Sequence, residues 1–328
     1  MLKEQLTIII PTYNRCDSLK ETLNDLCLKN IDQVKIIVLD NNSTDNTESL
    51  VRECKAKYEF IDYKKNKVNI GLNANLLRTI EICETEWLWM LGDDDKINDD
   101  CLSKIELKIR GQIDSVLINF SNISFVERNS DLLSSGLDEF LCIMDSFPNL
   151  LFISTNIMNA KILKKNISLG YQYSYSMIPY FIMLLDILKN SESKVHFSKQ
   201  SIVEFRRPEK NEKWSFINLW MGLPTLIEAI PGLSKSNINI ISEKIFCEVY
   251  LNANFFYNIF MLYQDDENMA KYISRQILYR YKDFLRLSFF KFYLIIALIE
   301  IKLVRQILFL FSRVTYRSDL NKLNTRIA

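Results

Sequence analysis

Two apolar runs open the chain, Leu6-Thr-Ile-Ile-Ile10 stopped by Pro11 and Val34-Lys-Ile-Ile-Val-Leu39 stopped by Asp40. Their β-branched residues are largely consecutive rather than alternating with polar ones, which predicts strands covered on both faces, as in a parallel sheet. Between them Leu19, Leu23, Leu26 and Cys27 recur at helical spacing over Ser18 to Lys29, with Asp17 placed to cap the helix. The alternation repeats with a helix over Thr44 to Tyr58, a strand over Phe60 to Lys64, a helix over Leu72 to Glu84 and a strand over Trp87 to Leu91. A helix over Cys101 to Gly111 and a strand over Ser115 to Asn119 follow, then an irregular polar stretch through Gly136. From Trp214 the pattern is helical throughout. This order predicts a doubly wound α/β fold, with a boundary at Pro231 to Ile240 that separates residues 1–235 from a helical region over 236–328.

In such sheets ligands bind beyond the carboxyl ends of the strands. Three polar segments fall there: Pro11-Thr-Tyr-Asn-Arg15, Asp40 to Asp45, and Gly92-Asp-Asp-Asp95. Sequence alone therefore predicts one polar rim assembled from distant stretches.

Composition removes several kinds of chemistry from that rim. The 328 residues carry 41 Lys+Arg against 40 Asp+Glu, a net charge of +1, so no global charge points to nucleic acid. With 48% hydrophobic and 25% charged residues, the chain reads as an ordinary folded protein rather than a disordered or polytopic one. Its seven glycines have neither dinucleotide-fingerprint nor Walker A spacing, and the single histidine, His196, cannot make an HExxH zinc site. His196 sits in the strand-like Lys194-Val-His-Phe197, where a structural role is expected. Seven cysteines with no CxxC pair read as reduced thiols, and the first apolar run is too short for a signal-peptide core, which predicts a cytoplasmic protein.

Asp93, Asp94 and Asp95 follow a buried strand directly, and three adjacent carboxylates repel one another unless a cation offsets them. Oxygen ligands suit Mg²⁺ or Mn²⁺, which are commonly held by one or two carboxylates together with substrate phosphates. A solvated acidic turn would carry the same residues. Asp40, at the end of an earlier strand, has an acceptor for a base N–H or ribose hydroxyl, or equally for an Asx turn or helix cap. For Ser43 and Asp45 capping is the expected role.

These residues resemble the family 2 glycosyltransferases of the GT-A fold, which use nucleotide-sugar donors. The likeness runs in order through Ile8-Ile-Ile-Pro-Thr-Tyr-Asn-Arg15, Val38-Leu-Asp-Asn-Asn-Ser-Thr-Asp-Asn-Thr47, Asn69-Ile-Gly71 with Asn75, and Trp89-Met-Leu-Gly-Asp-Asp-Asp95. Its flavour is that of bacterial enzymes building O-antigen or capsule polysaccharide. The resemblance implies a Rossmann-like mixed sheet and a nucleotide-sugar site. In that site Pro11, Thr12 and Tyr13 lie against the base, Asp40 contacts base or ribose, and Arg15 faces the nucleotide. Asn69, Gly71 and Asn75 flank the donor pocket, with Gly71 permitting a tight turn. Asp93, Asp94 and Asp95 match the Asp-x-Asp motif, but Gly92 stands in its usual first position. Asp94 is then the expected ligand of Mn²⁺ or Mg²⁺, with Asp95 beside it and Asp93 shared with the donor.

The family's acceptor-side base has no counterpart here, because Tyr171-Gln-Tyr-Ser-Tyr-Ser-Met-Ile-Pro179 holds no carboxylate. Asp186 and Glu204 are the fallback candidates, and the stereochemical outcome stays open. The Tyr and Ser residues of that stretch suit an acceptor-sugar subsite or helix packing alike. Arg206 and Arg207, with Lys210, Lys213 and Trp214, resemble a loop that closes over the diphosphate, or a solvated charged loop.

From Lys271 to Arg317 ten basic residues face only Asp283 and Glu300, in an amphipathic pattern that suits an anionic inner-leaflet surface, a helical cap or a homodimer contact. The longest apolar run there, Phe292 to Ile299, has eight residues, far short of the roughly 20 needed to span a bilayer. The expectation is a peripheral, metal-dependent transferase acting on a glycan or lipid-linked sugar, with no nucleic acid as partner. Its rivals are a nucleotidyltransferase acting on sugar phosphates and a catalytically silent scaffold.

Overall fold

The computed structural model describes residues 2–29, 31, 34–110, 115–176, 178–205, 230 and 232–246, with isolated positions between 267 and 310. The chain divides into two compact units, Met1–Asn211 and Glu212–Ala328. The first begins α1 (Leu2–Gln5), β1 (Leu6–Thr12), α2 (Cys16–Leu28), β2 (Lys35–Asp40), α3 (Thr47–Lys57), β3 (Ile61–Lys65), α4 (Leu72–Ile82) and β4 (Trp87–Met90). It continues with β5 (Lys96–Ile97), α5 (Cys101–Ile109), β6 (Ser115–Phe120), β7 (Leu132–Ser135), α6 (Gly136–Ile143) and α7 (Phe147–Leu151). Then come β8 (Asn156–Asn159), α8 (Ala160–Leu163), α9 (Ile167–Gln172), α10 (Pro179–Ile187), β9 (Lys194–Ser198) and β10 (Val203–Glu204). In the second unit α11 spans Lys235–Phe246.

One eight-stranded sheet runs in the order β3-β2-β1-β4-β8-β6-β9-β7. β3, β2, β1 and β4 are parallel neighbours, whereas β8 lies antiparallel to both β4 and β6. The sheet is therefore mixed. The consecutive apolar residues of β1 account for its central place: Ile8, Ile9 and Ile10 are all fully buried, so both faces of the strand are covered. Ile8, Ile10, Ile36, Val38, Trp87 and Trp89 share one core with Leu19, Leu23 and Leu26 of α2 and Ile105 of α5. The alternate strand residues turn to the other face. There α4 packs on β1 and against α9 and α10.

Two local features differ from the sequence reading, and a third agrees with it. α2 starts at Cys16 with Arg15 at its N-cap, which places Asp17 in the first turn, where its charge favours the helix dipole. The polar stretch before Gly136 contains β7, an edge strand on β9. Its Leu132 and Leu133 are exposed while Ser134 is buried, an inverted pattern that hides the strand from hydrophobic periodicity. Gly71, with φ +84°, does form the turn expected of it, at the N-cap of α4.

Candidate functional site

The chain winds from β1 out to β2 and β3, then returns to place β4 on the other side of β1. The switch between the two directions opens a crevice at the carboxyl ends of β1 and β4. Side chains from both strand ends meet across it. Thr12 Oγ1 donates to Asp93 Oδ2 at 2.7 Å, and Thr22 Oγ1 of α2 donates to the Asp93 carbonyl at 2.9 Å. Arg15 Nε lies 3.0 Å from Asp93 Oδ1, and its Nη2 donates to Asp94 Oδ2 at 2.6 Å.

Asp95 is held from the other side of β4. Ser154, just ahead of β8, donates to Asp95 Oδ2 at 2.5 Å and accepts from the Gly92 N–H at 2.8 Å. A Cβ on Gly92 would stand 2.4 Å from Asp95 Oδ2 and 3.3 Å from Asp94 Oδ1. The missing side chain thus leaves room for both carboxylates against the strand end. Gly92, in the place where the motif usually has its first aspartate, makes that space.

The second rim segment is bound to the first. Asn14, at φ +53°, donates its N–H to Ser43 Oγ at 2.9 Å and accepts from the Thr44 N–H at 2.8 Å. Asp40 is fully buried; its Oδ1 accepts from the N–H and hydroxyl of Ser43, and its Oδ2 accepts from Tyr63 at 2.6 Å. Burial and the Asp40 carboxylate push the Tyr63 phenol far up, so it stays a proton donor. Asp40 thereby takes the Asx-turn role in the structure. Three of the carboxylate's roughly four acceptor positions are thus taken within the rim.

Asn69, Gly71 and Asn75 join this segment through amides. Asn41 donates to Asn69 Oδ1 at 2.8 Å, Asn66 donates to Asn41 Oδ1 at 3.0 Å and to Asn75 Oδ1 at 2.8 Å, and the Gly71 N–H donates to Asn69 Oδ1 at 2.9 Å. Further along α4, Asn73 Nδ2 donates to the Ser174 carbonyl at 2.7 Å. That bond brings the tyrosine stretch beside the pocket: the Tyr173 and Tyr175 rings lie 6.0 Å apart, and Tyr175 is 62% exposed.

The two fallback carboxylates part company. Glu204 pairs in register with Lys96, next to Asp95, and its Oε2 accepts from Lys96 Nζ at 2.8 Å. Asp186 lies in another part of the fold. Tyr180, near the start of α10, donates to the carbonyls of Leu150 and Leu151 on the rim side. The helix then carries Asp186 to the amino edge of β4, where it accepts from Asn166 and pairs with Lys189. There it lines a polar crevice of 640 Å³ with Glu86 and Asn159, a strand's length from Asp94. His196 is on β9 with Nε2 3.8 Å from Asp131, and burial together with Lys108 lowers its pKa, as befits a neutral structural histidine. Arg206 and Arg207 lie outside the described residues, as does most of the basic C-terminal stretch.

Sequence reasoning missed Ser154, Tyr63, Thr22 and Asn66. No motif marks them. Each is an ordinary polar residue whose partner is more than 20 positions away. Among the described residues no three His, Cys, Asp or Glu side chains already converge as a metal cage, and no helix is long and apolar enough to cross a membrane. A donor set of one or two carboxylates that leaves room for phosphate oxygens is nevertheless what Mg²⁺ or Mn²⁺ takes, and Asp94 with Asp95 or Asp93 fits it.

Asp45 shows how the rim is kept in place. Burial alone would raise its carboxyl, but hydrogen bonds from Thr47 and from the Cys16 N–H outweigh that and hold its pKa below the ordinary 3.8. A depressed pKa contributes stability that is complete above the unfolded value and is lost as pH falls through the folded one. D45N keeps an acceptor but loses the charge, which at this exposed position is expected to cost about 0.5 kcal/mol near neutral pH. In urea denaturation the gap from wild type should close in acid, and an equal gap at all pH values would contradict the assignment.

Residues 7–158 match the profile of the family Glycosyl transferase family 2. The abequosyltransferase RfbV of Salmonella typhimurium is 34% identical over 116 residues, 34% of this chain and 34% of that protein. The GalNAc(5)-diNAcBac-PP-undecaprenol beta-1,3-glucosyltransferase of Campylobacter jejuni is 30% identical over 105 residues, 32% of this chain and 34% of that protein. The chain thus spans about a third of the length of these curated relatives. The mannosyltransferase PcManGT of Pyrobaculum calidifontis, solved with GDP-Man and Mn²⁺, superposes with a TM-score of 0.50 at 14% identity, over 96% of this chain and 87% of that one. This is a likeness of fold, and the mixed sheet is of the GT-A kind.

Proposed function

With residues 7–158 forming a glycosyl transferase family 2 segment, we propose that the chain transfers a sugar from a nucleotide-sugar donor to a growing bacterial surface glycan. The observation that carries this reading is the link across the switch point, in which Thr12 and Arg15 of one strand end hold Asp93 and Asp94 of the other. A nucleoside diphosphate laid along that crevice meets Tyr13 and Asp40 at the base and ribose end, and the acidic corner at the phosphate end. Asp94, with Asp95 or Asp93, would hold the Mn²⁺ or Mg²⁺. Bound there, the ion supplies Lewis-acid stabilisation of the charge that develops on the diphosphate as it leaves. The chain's own part is positional: Thr12 and Ser154 fix the carboxylates, and the amide cluster around Asn41 fixes the turn at Gly71. Of the two candidate bases we favour Glu204, a reading supported by its pairing with Lys96 beside Asp95.

Support for a lipid-linked acceptor comes from the Campylobacter relative, named for a PP-undecaprenol glycan, and from the basic C-terminal stretch, which suits an anionic membrane surface. The donor side is tested by thermal shift with UDP-, GDP-, CDP- and dTDP-sugars in the presence of Mn²⁺. A ligand at 100 times its dissociation constant stabilises by about 2.7 kcal/mol, so one sugar nucleotide should raise the melting temperature clearly. No shift with any of them would contradict the reading.

The acceptor side rests on Tyr173 and Tyr175, whose rings offer an apolar face beside hydroxyls. Y175A is expected to raise the acceptor KM by about tenfold, as loss of roughly 1.4 kcal/mol of stacking would. Hydrolysis of the donor by water should be unchanged. Equal loss of both activities would argue that Tyr175 serves packing alone.

A further inference from the structure

The acidic corner already has a cation in it. Arg15 spans two of the three carboxylates, with Nε 3.0 Å from Asp93 Oδ1 and Nη2 2.6 Å from Asp94 Oδ2. From this geometry we infer that Arg15 occupies the cation position of the corner in the ligand-free protein and must be displaced for a dication to settle there. The inference rests on the reading of the corner as the metal-diphosphate site.

Three observations make the exchange feasible. The Arg15 side chain is 29% exposed and reaches in from the N-cap of α2, so a rotation of its stem frees the corner without opening the core. Asp93 keeps its place when Arg15 leaves, because Thr12 holds its other oxygen. Asp95 is held independently by Ser154. Asp93 and Asp95 are thus positioned by hydroxyl groups, and Arg15 supplies charge to Asp93 and Asp94.

The chemistry of the guanidinium gives the exchange a direction. It stays charged at every working pH and binds phosphate oxygens in the same forked manner as carboxylates. A diphosphate arriving with its dication offers Arg15 new partners while the dication takes the old ones. Metal alone offers it none. Metal without nucleotide should therefore bind weakly, and Arg15 makes loading of the two concerted, a coupling that works equally in both directions.

The test is Mn²⁺ alone, titrated into the full chain and followed by the paramagnetic resonance signal of the free ion. R15Q removes the competing charge, and it should bind Mn²⁺ about tenfold more tightly than wild type, since a unit charge a few ångströms away near a surface is worth at least that factor. A residue that merely supported the fold would not tighten metal binding on removal. R15K, which keeps the charge on one ammonium unable to bridge both carboxylates, should fall between the two. If R15Q does not fold, R15K must still bind more tightly than wild type. Equal or weaker Mn²⁺ binding by the folded variant overturns the proposal. The transfer reading fails separately: a chain that follows this Mn²⁺ order but binds no nucleotide sugar would lose its assigned activity and keep its Arg15 exchange.

Discussion

D94A is expected to lower sugar transfer by about 10³-fold while leaving the fold intact, as loss of one electrostatic stabiliser of a developing charge does. The separation of the two effects is the point. Asp94 is one-third exposed and, among the described residues, pairs with Arg15, which retains Asp93 when Asp94 is gone. Partly exposed pairs of this kind contribute about 0–1 kcal/mol, and removing Asp94 also relieves repulsion from the neighbouring carboxylates. Stability measured by urea should therefore change little. Steady-state transfer at saturating donor and Mn²⁺ is the accompanying measurement. Activity that survives in a folded D94A protein would remove Asp94 from the chemistry, and a large loss of stability would make it a structural residue.

The largest effect on folding is expected far from this corner, at Arg128. Its side chain is only 2% exposed and forms a bidentate pair with Asp145, at 2.8 and 2.9 Å. Its other hydrogens go to the Asn119 carbonyl and side chain and to the Ser198 carbonyl, and it lies over the Phe197 ring. One side chain thus gathers the ends of β6 and β9 and the loop before α7. R128M removes every one of these bonds, although Ser198 keeps its donors from Ser121 and the Asn119 side chain keeps Asn149. Arg128 is buried but the Asp145 side chain is 29% exposed, so the loss should fall below that of a fully buried pair, at about 2–3 kcal/mol, and appear as a lower urea midpoint with an unchanged slope. Adding D145L removes the released carboxylate and should recover part of the loss, but not all, because Asn119 still loses both of its Arg128 hydrogens. A loss below about 1 kcal/mol for R128M would show that solvent satisfies this knot.

The two predictions draw on different amounts of sequence information. The acidic corner was legible because a buried apolar strand running straight into Asp93-Asp94-Asp95 is an uncommon local pattern. Asp40 was legible for the same reason, at the end of Val34 to Leu39. The groups that hold these carboxylates were not. Ser154 reaches Asp95 across 59 positions and Thr12 reaches Asp93 across 81, and nothing in a hydroxyl's immediate neighbours announces such a partner. Arg128 was invisible for a related reason: in sequence it is one charged residue in a polar loop, and only the fold buries it.

The base candidates show the opposite failure. Asp186 and Glu204 had equal standing as isolated carboxylates, and direction along an element sets their places apart. α10 starts at the rim and carries Asp186 away, while β10 runs antiparallel to β5 and brings Glu204 back. β7 escaped because edge strands do not need a buried alternation, so Leu132 and Leu133 could face outward.

The claim on which this account stands is that the strand end at Asp94 seats a dication together with the diphosphate of a sugar donor. Crystals grown with Mn²⁺ and the nucleotide sugar that gives the largest thermal shift test it directly. The account predicts an anomalous peak about 2.0–2.2 Å from an Asp94 oxygen, bridged to diphosphate oxygens, with the Arg15 guanidinium turned away from Asp93 and Asp94. Donor density without that peak, Arg15 still resting on both carboxylates, would contradict it.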